Sequence, residues 1–342
     1  FQKRILPPRN PNTGFPILYA RIVYDNYQFL EDQLATNYAS ENIYCFALDR
    51  KAPRTFHDRF FQLEKCLPNV VVARRERDDD SAGHNQNQAH LDCMKLARNR
   101  TWEYAVLMQN QDVLIKTHGE MTEILKINGG ANDVDSDFCP DHRCISSLER
   151  NLGKLKLCPK NLTDAERFLC EHTDIEWGKG AMQAIISRAA SDFIFDEIDV
   201  HPLIKEMNSM GYGVDEQLYN SININPEIRL PGRFHYKCRD VIVHRTFIFT
   251  GSYKYCPSGK LRHGSCIYGV EDLPFLAEST SVMANKMLPD FDQAVTSCIS
   301  ELLFNRTRDG PTIDKEFDAN INAVRYHHER NNPDFNIDQF KC

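Results

Sequence analysis

Between residues 15 and 109 the chain repeats one pattern: a short apolar run, then a segment whose apolar residues recur at helical spacing. FPILYARIVYD (15–25) precedes NYQFLEDQLATNYAS (26–40), in which Phe29, Leu30, Leu34 and Tyr38 fall on one helical face. IYCFALD (43–49) precedes PRTFHDRFFQLEKCL (53–67), NVVVARR (69–75) precedes HNQNQAHLDCMKLARNR (84–100), and WEYAVLMQ (102–109) follows as a fourth strand. Strands that alternate with helices predict parallel βαβ units in an α/β, Rossmann-type, doubly wound and mostly parallel sheet flanked by helices. Ligands in such sheets lie beyond the carboxyl ends of the strands. Attention therefore falls on Asp49-Arg50, on Arg74 to His84, and on Asn110 to Asp112.

Beyond residue 118 the pattern weakens. Residues 118–175 are irregular and rich in Asp, Cys and Asn. AMQAIISRAASDFIF then reads as a strand running into a helix, EQLYNSI as a short helix, VIVHRTFIF (241–249) as a strand, and DLPFLAESTSVMANKML and DFDQAVTSCISELLFN as helical stretches. No low-complexity tract, internal repeat or Pro/Gly/Ser linker divides the chain, which predicts a single domain.

Charge and missing motifs narrow the function classes. The formal net charge is −7 and there is no long basic tract, which argues against nucleic-acid binding. No run of roughly 18 apolar residues is present to span a bilayer. The chain opens FQKRILPPRNPNTG, without a signal peptide or anchor, so either the sequence is trimmed or its targeting segment is expected to have been removed. G-x-G-x-x-G, G-x-x-x-x-G-K-[ST], H-E-x-x-H and G-x-S-x-G are all missing, so dinucleotide, Walker-type, zinc-protease and nucleophile-elbow chemistry is not signalled.

The twelve cysteines are scattered rather than set in matched metal-binding pairs, which suits disulfides in an oxidising compartment. Sequons at Asn99, Asn161 and Asn305 agree with a secretory-pathway location and are candidate glycosylation sites. Cys256 and Cys266 bracket nine residues with Gly and Pro turns, a natural disulfide loop presenting Lys260, Arg262 and His263. A stapled loop bearing Arg can bind phosphate; it can equally be a surface loop with solvated charges.

Two more segments carry candidate chemistry. In GYGVDEQLYNSI, Asp215 and Glu216 follow a glycine-rich turn; one carboxylate can act as a general base in a cleft, or both can be helix-start residues. The acidic run Asp78-Asp79-Asp80 can bind a divalent ion or form a solvated loop. Lys286, in SVMANKML, reads as a lone cation on an apolar helix, where a snorkelling surface lysine is the default.

Taken in order, FPILYARIVYDNYQFLEDQLATNY, IYCFALDRKAPRTF, AHLDCMKLA, DVLIKTHGEM, VDEQLYNSI, CPSGKLRHGSCIYGVEDLPFL and MANKMLPDFDQAVTSCI resemble the core-2/I-branching β-1,6-N-acetylglucosaminyltransferases, glycosyltransferase family 14. The resemblance covers nearly all of 15–305, with 118–175 matching poorly. It implies a GT-A-like fold in the Golgi lumen, on a type II membrane protein whose anchor and stem precede this chain. It implies three segments: a stem or lead-in over 1–14, one glycosyltransferase domain over 15–310 and a C-terminal extension over 311–342. The implied chemistry is inverting transfer from a UDP-sugar, GlcNAc by default, to a glycan or glycoprotein hydroxyl, with no metal or other cofactor. Glu216 matches the family's catalytic base, and Arg262 and Lys286 match its diphosphate-facing cations. Asp49, His84 and Asp112 are nucleotide-site candidates, with Asp112 expected to line the site.

Departures from the family pattern sharpen the expectations. Gln109 replaces the family's cysteine after the fourth strand, so Cys45 lacks its expected partner and Cys66 can take that place. Cys93 is then expected to pair with Cys139 or Cys144, and Cys298 to tie the last long helix to a distant segment. The family's tryptophan-bearing acceptor strand reads VIVHRTFIF here, which leaves Trp177 and Asp215 as acceptor-site candidates, with a core role for Trp177 the alternative. Two rival functions remain: a catalytically inactive glycan-binding or scaffolding protein with the same fold, and a glycosidase, for which adjacent Asp215 and Glu216 supply no opposed carboxyl pair.

Overall fold

The computed structural model describes residues 13–140, 142–144, 148–241, 245–248, 256–262 and 264–342. The lead-in over 1–12, His263 and most of the 241–249 strand lie outside the described residues; only Phe247–Ile248 of that strand is seen.

The expected strands form the centre. β1 (Ile17–Val23), β2 (Ile43–Asp49), β3 (Val70–Arg77) and β4 (Tyr104–Met108) pair in parallel in the order β3-β2-β1-β4. The minor strands follow as β5 (Val113–Leu114), β6 (Asp133–Val134), β7 (Asp137–Phe138), β8 (Gly178–Lys179) and β9 (Ala184–Ser187). β9 joins β4 antiparallel and β6 closes that edge, giving a six-stranded mixed sheet. The strands β1, β2 and β4 are buried along their whole length, as parallel strands covered on both faces must be. One exception to their apolar character is informative. Arg21, in the middle of β1, is buried and donates to the carbonyls of Gln109, Asn110 and Asp112, tying β1 to the turn after β4.

Helices α1 (Tyr27–Asn37), α2 (Arg54–Cys66) and α3 (Gln86–Leu96) connect the strands. α2 turns Phe56, Phe60 and Leu63 onto the face of the sheet that carries Tyr44, Phe46 and Leu48. α3 covers the other face, packing Cys93 and Met94 with Ile43, Cys45 and Ala47. Side chains of a strand alternate faces, so Cys45 can meet α3 but not α2. The disulfide is accordingly Cys45–Cys93, Cα–Cα 5.6 Å, and Cys66 at the end of α2 is an exposed thiol. This corrects the expected Cys45–Cys66 pair and the expected partner for Cys93. Cys139 and Cys144 pair with each other across four intervening residues. Cys158–Cys170, Cys238–Cys342 and the expected Cys256–Cys266 complete the set, and Cys298 stays a free thiol rather than a tether.

The second half adds α4 (His118–Asn128), α5 (Asp164–Glu171), α6 (Arg188–Asp196), α7 (His201–Met207) and α8 (Leu218–Ile224). Next come β10 (Phe247–Ile248), the hairpin β11 (Leu261–Arg262) with β12 (Ser265–Cys266), α9 (Leu273–Glu278) and β13 (Met283–Ala284). The helical reading of residues 272–288 fails after Glu278. A short buried run such as Val282–Ala284 suits helix or strand equally; here it pairs with β10 on one side and β5 on the other. Lys286 therefore follows a strand instead of riding on a helix. α10 (Gln293–Asp309), α11 (Lys315–Asn320) and α12 (Asn322–Glu329) end the chain. α11 packs on α4, and the Cys238–Cys342 bond fastens the last residue beside Phe234 and Tyr326.

Candidate functional site

A cleft of about 810 Å³ opens over the carboxyl ends of β1 to β4. Its walls include Asp49, Asp215, Glu216, Arg262 and Lys286, so five of the residues singled out from the sequence share one space.

At one end stand the two cations. The Cys256–Cys266 bond closes the β11–β12 hairpin, in which Arg262 pairs with Ser265, and Ser258 Oγ donates to the Ile267 carbonyl at 2.6 Å. Tyr268 N donates to the Lys286 carbonyl at 3.0 Å and Met287 N to the Gln111 carbonyl at 3.2 Å, which seats Lys286 between the hairpin and the turn after β4. Burial, then the neighbouring Arg262 charge, lowers the Lys286 pKa below its ordinary value, and Asp112 pulls it back. Among the described residues neither Arg262 nor Lys286 has a carboxylate within ion-pair distance. Two neighbouring cations on the wall of one cleft make a surface suited to an anion.

Asp112 is not on the wall. It is fully buried beneath it, accepting from Gln109 N at 2.6 Å, Asn285 Nδ2 at 2.7 Å and Gln183 Nε2 at 3.0 Å. It fixes Asn285, and so the backbone entering Lys286; this corrects the expectation that it lines the site. Asp49 does line it, at the end of β2, accepting from Lys51 N at 2.8 Å.

At the other end, Gly213 (φ 67°) turns the chain into a short 3₁₀ turn, Val214–Glu216. Val214 N donates to the Ala82 carbonyl at 3.1 Å and Asn87 Nδ2 to the Val214 carbonyl at 3.2 Å, so the turn is hung from the loop after β3. Neither carboxylate makes a cap hydrogen bond to α8, although both lie in the first turn of the 3₁₀ helix that leads into it, so the helix-start reading stands beside the cleft reading. Asp215 is buried; desolvation, then Glu216 and more weakly Asp80, push its pKa up to about 7. A Cβ at Gly83 (φ 93°) would fall on the Asp215 carboxylate, so only glycine fits there. Glu216 is about one-third exposed, and Lys179 Nζ on β8 lies 3.0 Å from its Oε2. Lys179 was missed from sequence; nothing in IEWGKG distinguishes it from a solvated lysine until β8 is seen beside the turn.

The acidic run is not a solvated loop throughout. Asp78 pairs with Arg50 at 2.7 Å and Lys51 at 2.8 Å, and Asp80 with His84 at 2.7 Å. Asp79 between them is buried, its carboxylate has no hydrogen-bond partner among the described residues, and burial, then Asp49, push its pKa up to about 7. His84 also bonds the Met210 carbonyl at 2.9 Å, bracing two loops behind the wall instead of lining the cleft. Trp177 is 5 % exposed, packed in the core, and does not line the cleft either. Of the sequons, Asn99 and Asn161 are exposed, whereas Asn305 is half-buried within α10. Among the described residues no three His, Cys, Asp or Glu side chains are grouped to hold a metal ion, and no helix is long and apolar enough to cross a membrane.

The chain is similar to known proteins over most of its length. The model of the Core-2/I-branching enzyme family matches residues 17–276, a span that includes Glu216 and Arg262 and stops short of Lys286. Beta-1,3-galactosyl-O-glycosyl-glycoprotein beta-1,6-N-acetylglucosaminyltransferase 3 of Rattus norvegicus is 26% identical over 320 residues, covering 87% of this chain and 70% of that protein. The enzyme of the same name without the number from Bovine herpesvirus 4 (strain LVR140) is 28% identical over 316 residues, covering 87% and 69%. The Ovis aries enzyme 3 is 28% identical over 315 residues, with the same coverage. The crystal structure of S. aureus TarS 1-349 superposes with a TM-score of 0.37 at 8% identity, covering 93% of this chain and 72% of that one; a likeness that loose carries no weight.

Proposed function

Because the chain belongs to the Core-2/I-branching enzyme family, we propose that it transfers N-acetylglucosamine from a UDP-sugar to the 6-hydroxyl of a β-1,3-galactosylated O-glycan on a glycoprotein, with inversion and without a metal ion. The observation that carries this is the pairing, in one cleft of about 810 Å³, of two cations that have no carboxylate partner among the described residues with a carboxylate–lysine pair. Arg262 and Lys286 take the diphosphate and offset the charge that grows on it as UDP leaves, the electrostatic work a metal ion performs elsewhere. Glu216 takes the proton from the acceptor hydroxyl. That oxygen bonds to the anomeric carbon from the face opposite UDP as the carbon–phosphate-oxygen bond breaks, so an α-linked donor gives a β-linked product. Lys179 orients the Glu216 carboxylate, and Asp112 with Asn285 holds the backbone that carries Lys286. Asp49, at the end of β2, faces the space where the nucleoside would lie. The five disulfides support a lumenal, oxidising location in the secretory pathway, of which the Golgi is the compartment we propose.

The test is UDP release from a panel of UDP-sugars in the presence of a β-1,3-galactosyl O-glycoside, run with and without EDTA. Turnover of UDP-GlcNAc unchanged by EDTA is the expected result. Loss of activity in EDTA would refute the metal-free step, and UDP binding with no turnover of any sugar would favour an inactive glycan-binding protein.

A further inference from the structure

We propose that Asp79 is a specificity-determining residue for the donor: its carboxyl, left without a protein partner at the Asp49 end of the cleft, donates a hydrogen bond to a carbonyl of the uracil ring while Asp49 accepts from the ring N3–H. The inference rests on the transferase reading above and deepens its donor end.

Asp79 differs from the two aspartates beside it. Asp78 is engaged with Arg50 and Lys51, and Asp80 with His84. Asp79 is 5 % exposed and borders the cleft, and among the described residues neither of its carboxyl oxygens has a hydrogen-bond partner. Buried polar groups nearly always find a partner, so an orphan at the edge of a cleft points to a ligand. No hydrogen bond anchors the carboxyl, which leaves it free to turn toward the cleft.

The strand register brings this residue to Asp49. Asp49 stands opposite Arg77 where β2 pairs with β3, and Asp79 follows two residues on. Lys51 fixes the approach. Its Nζ donates to the Asp79 carbonyl and, at 2.8 Å, to Asp78 Oδ1, and it lies 3.5 Å from Asp49 Oδ2. An ammonium has three protons, and these three oxygens account for them without the Asp79 carboxyl. Lys51 N also donates to Asp49 Oδ1 at 2.8 Å, which sets Asp49 as an acceptor.

Two neighbouring carboxyls resist ionising together. The charged groups facing Asp79 are Asp49 on β2, Arg77 at the end of β3, and Lys51 and Asp78 in the loops. Burial, then Asp49, push its pKa up to about 7, against Arg77 and Lys51. Below that pH the carboxyl holds a proton and can donate it to a hydrogen bond. A donor beside an acceptor complements uracil, whose N3–H lies between two carbonyls. Cytosine has no proton on N3 and an amino group at C4, so it meets the pair differently. Tyr24, at the end of β1, borders the same cleft; burial raises its pKa, Arg262 lowers it, and Asp25 and Asp49 raise it. A ring that feels both Arg262 and Asp49 links the carboxyls to the diphosphate cations, as a ribose links base to diphosphate.

The experiment is calorimetric titration of the full chain with UDP-GlcNAc, whose diphosphate has no ionisation near neutrality, at pH 6 and pH 8. Wild type is compared with Asp79→Asn and Asp79→Leu. The wild-type dissociation constant should rise about tenfold between the two pH values, because the protonated, binding-competent fraction falls by about that factor. Asp79→Asn, whose amide donates at every pH, should hold its affinity within about twofold. Asp79→Leu should be equally flat and about tenfold weaker than wild type at pH 6, the worth of one hydrogen bond. Other titrating groups, Lys286 among them, are common to all three proteins and cancel in the comparison. The effect is on binding, so the pH profile of the rate at saturating donor is untouched. At pH 6 wild type should bind UDP at least about tenfold more tightly than CDP, and Asp79→Leu should narrow that gap. Wild type that transfers sugar but whose affinity changes with pH no more than that of Asp79→Asn overturns the role of Asp79 and spares the transferase reading. A steep wild-type profile beside a flat Asp79→Asn profile, with no transfer to any glycoside, upholds Asp79 and sinks the transferase reading. Equal wild-type affinity for UDP and CDP, or no binding of either, overturns the inference.

Discussion

The two ends of the cleft are built differently. The cation end rests on the most regular part of the molecule: the carboxyl ends of fully buried parallel strands, the buried Asp112 with its three side-chain and backbone donors, and a disulfide-closed hairpin. The carboxylate end is assembled from two-residue strands, a 3₁₀ turn and a disulfide loop enclosing four residues. The charges divide the same way. Among the described residues Arg262 and Lys286 have no carboxylate within ion-pair distance, whereas at the other end Glu216 pairs with Lys179 and Asp215 feels the charges of Glu216, Asp80 and Lys179. Under the proposed function the difference follows what each end would have to do. A diphosphate is the same in every turnover, so fixed cations on a stiff frame suit it. A glycan acceptor presents a sugar ring and a proton to be removed, which calls for an acceptor of protons and for loops able to shape themselves around a ring. In the proposed transfer, proton and negative charge move in opposite directions, and the charges of the cleft are divided in the same sense.

Substitutions should therefore separate by end. The largest effect is expected from Glu216→Gln: kcat lower by roughly 10²–10⁴, the usual worth of a general base, with UDP affinity unchanged by calorimetry. If UDP binding fell as well, the two ends would not be separable. Next come Arg262→Ala and Lys286→Ala, each expected to lower kcat by about 10²–10³ and to weaken UDP, with glycoside binding intact. A smaller pair tests the staples. Cys256→Ser with Cys266→Ser should raise the donor KM roughly tenfold, and Cys139→Ser with Cys144→Ser the acceptor KM by a similar factor, through loosened positioning. Crossed effects between the two staples, measured by steady-state kinetics, would break the division.

How far the sequence could be read follows the same line. Much of the cation end is made of local patterns, namely buried strands, amphipathic helices, and two cysteines ten residues apart around Arg262, each readable in a short window, whereas the settings of Lys286 and Asp112 there are not. The carboxylate end depends on long-range meetings. Lys179 meets Glu216 only because β8 pairs with β7, and Arg143 meets Tyr212 from 69 residues away. The failed readings have the same cause. Cys45 could have gone to Cys66 or Cys93 until α2 and α3 were seen on opposite faces of the sheet. Val282–Ala284 is apolar enough for helix or strand, and its pairing with β5 and β10 decided it, which moved Lys286 off a helix and into the wall. Asp112 has the position of a site residue at a strand end, but its hydrogen bonds turn it inward.

The smallest expected effect concerns two buried carboxyls, one toward each end. Asp79 stands beside Asp49, and Asp215 beside Glu216; burial first, then that neighbour, push each up to about 7. In the unfolded chain both titrate near ~3.9. Between about pH 4 and pH 7 the folded protein thus binds more protons than the unfolded one, so unfolding free energy falls as pH rises through that window and levels above it. Asn in place of either Asp carries no such charge and should flatten the profile. The melting temperature of Asp79→Asn or Asp215→Asn relative to wild type should accordingly be a few degrees higher at pH 8 than at pH 5. The two sites differ in what else they touch. Asp215→Asn removes repulsion next to the proposed base, so its pH–rate profile should shift while that of Asp79→Asn keeps the wild-type shape. Melting curves for both variants that run parallel to wild type from pH 5 to pH 8 would show that neither carboxyl is held protonated by the fold.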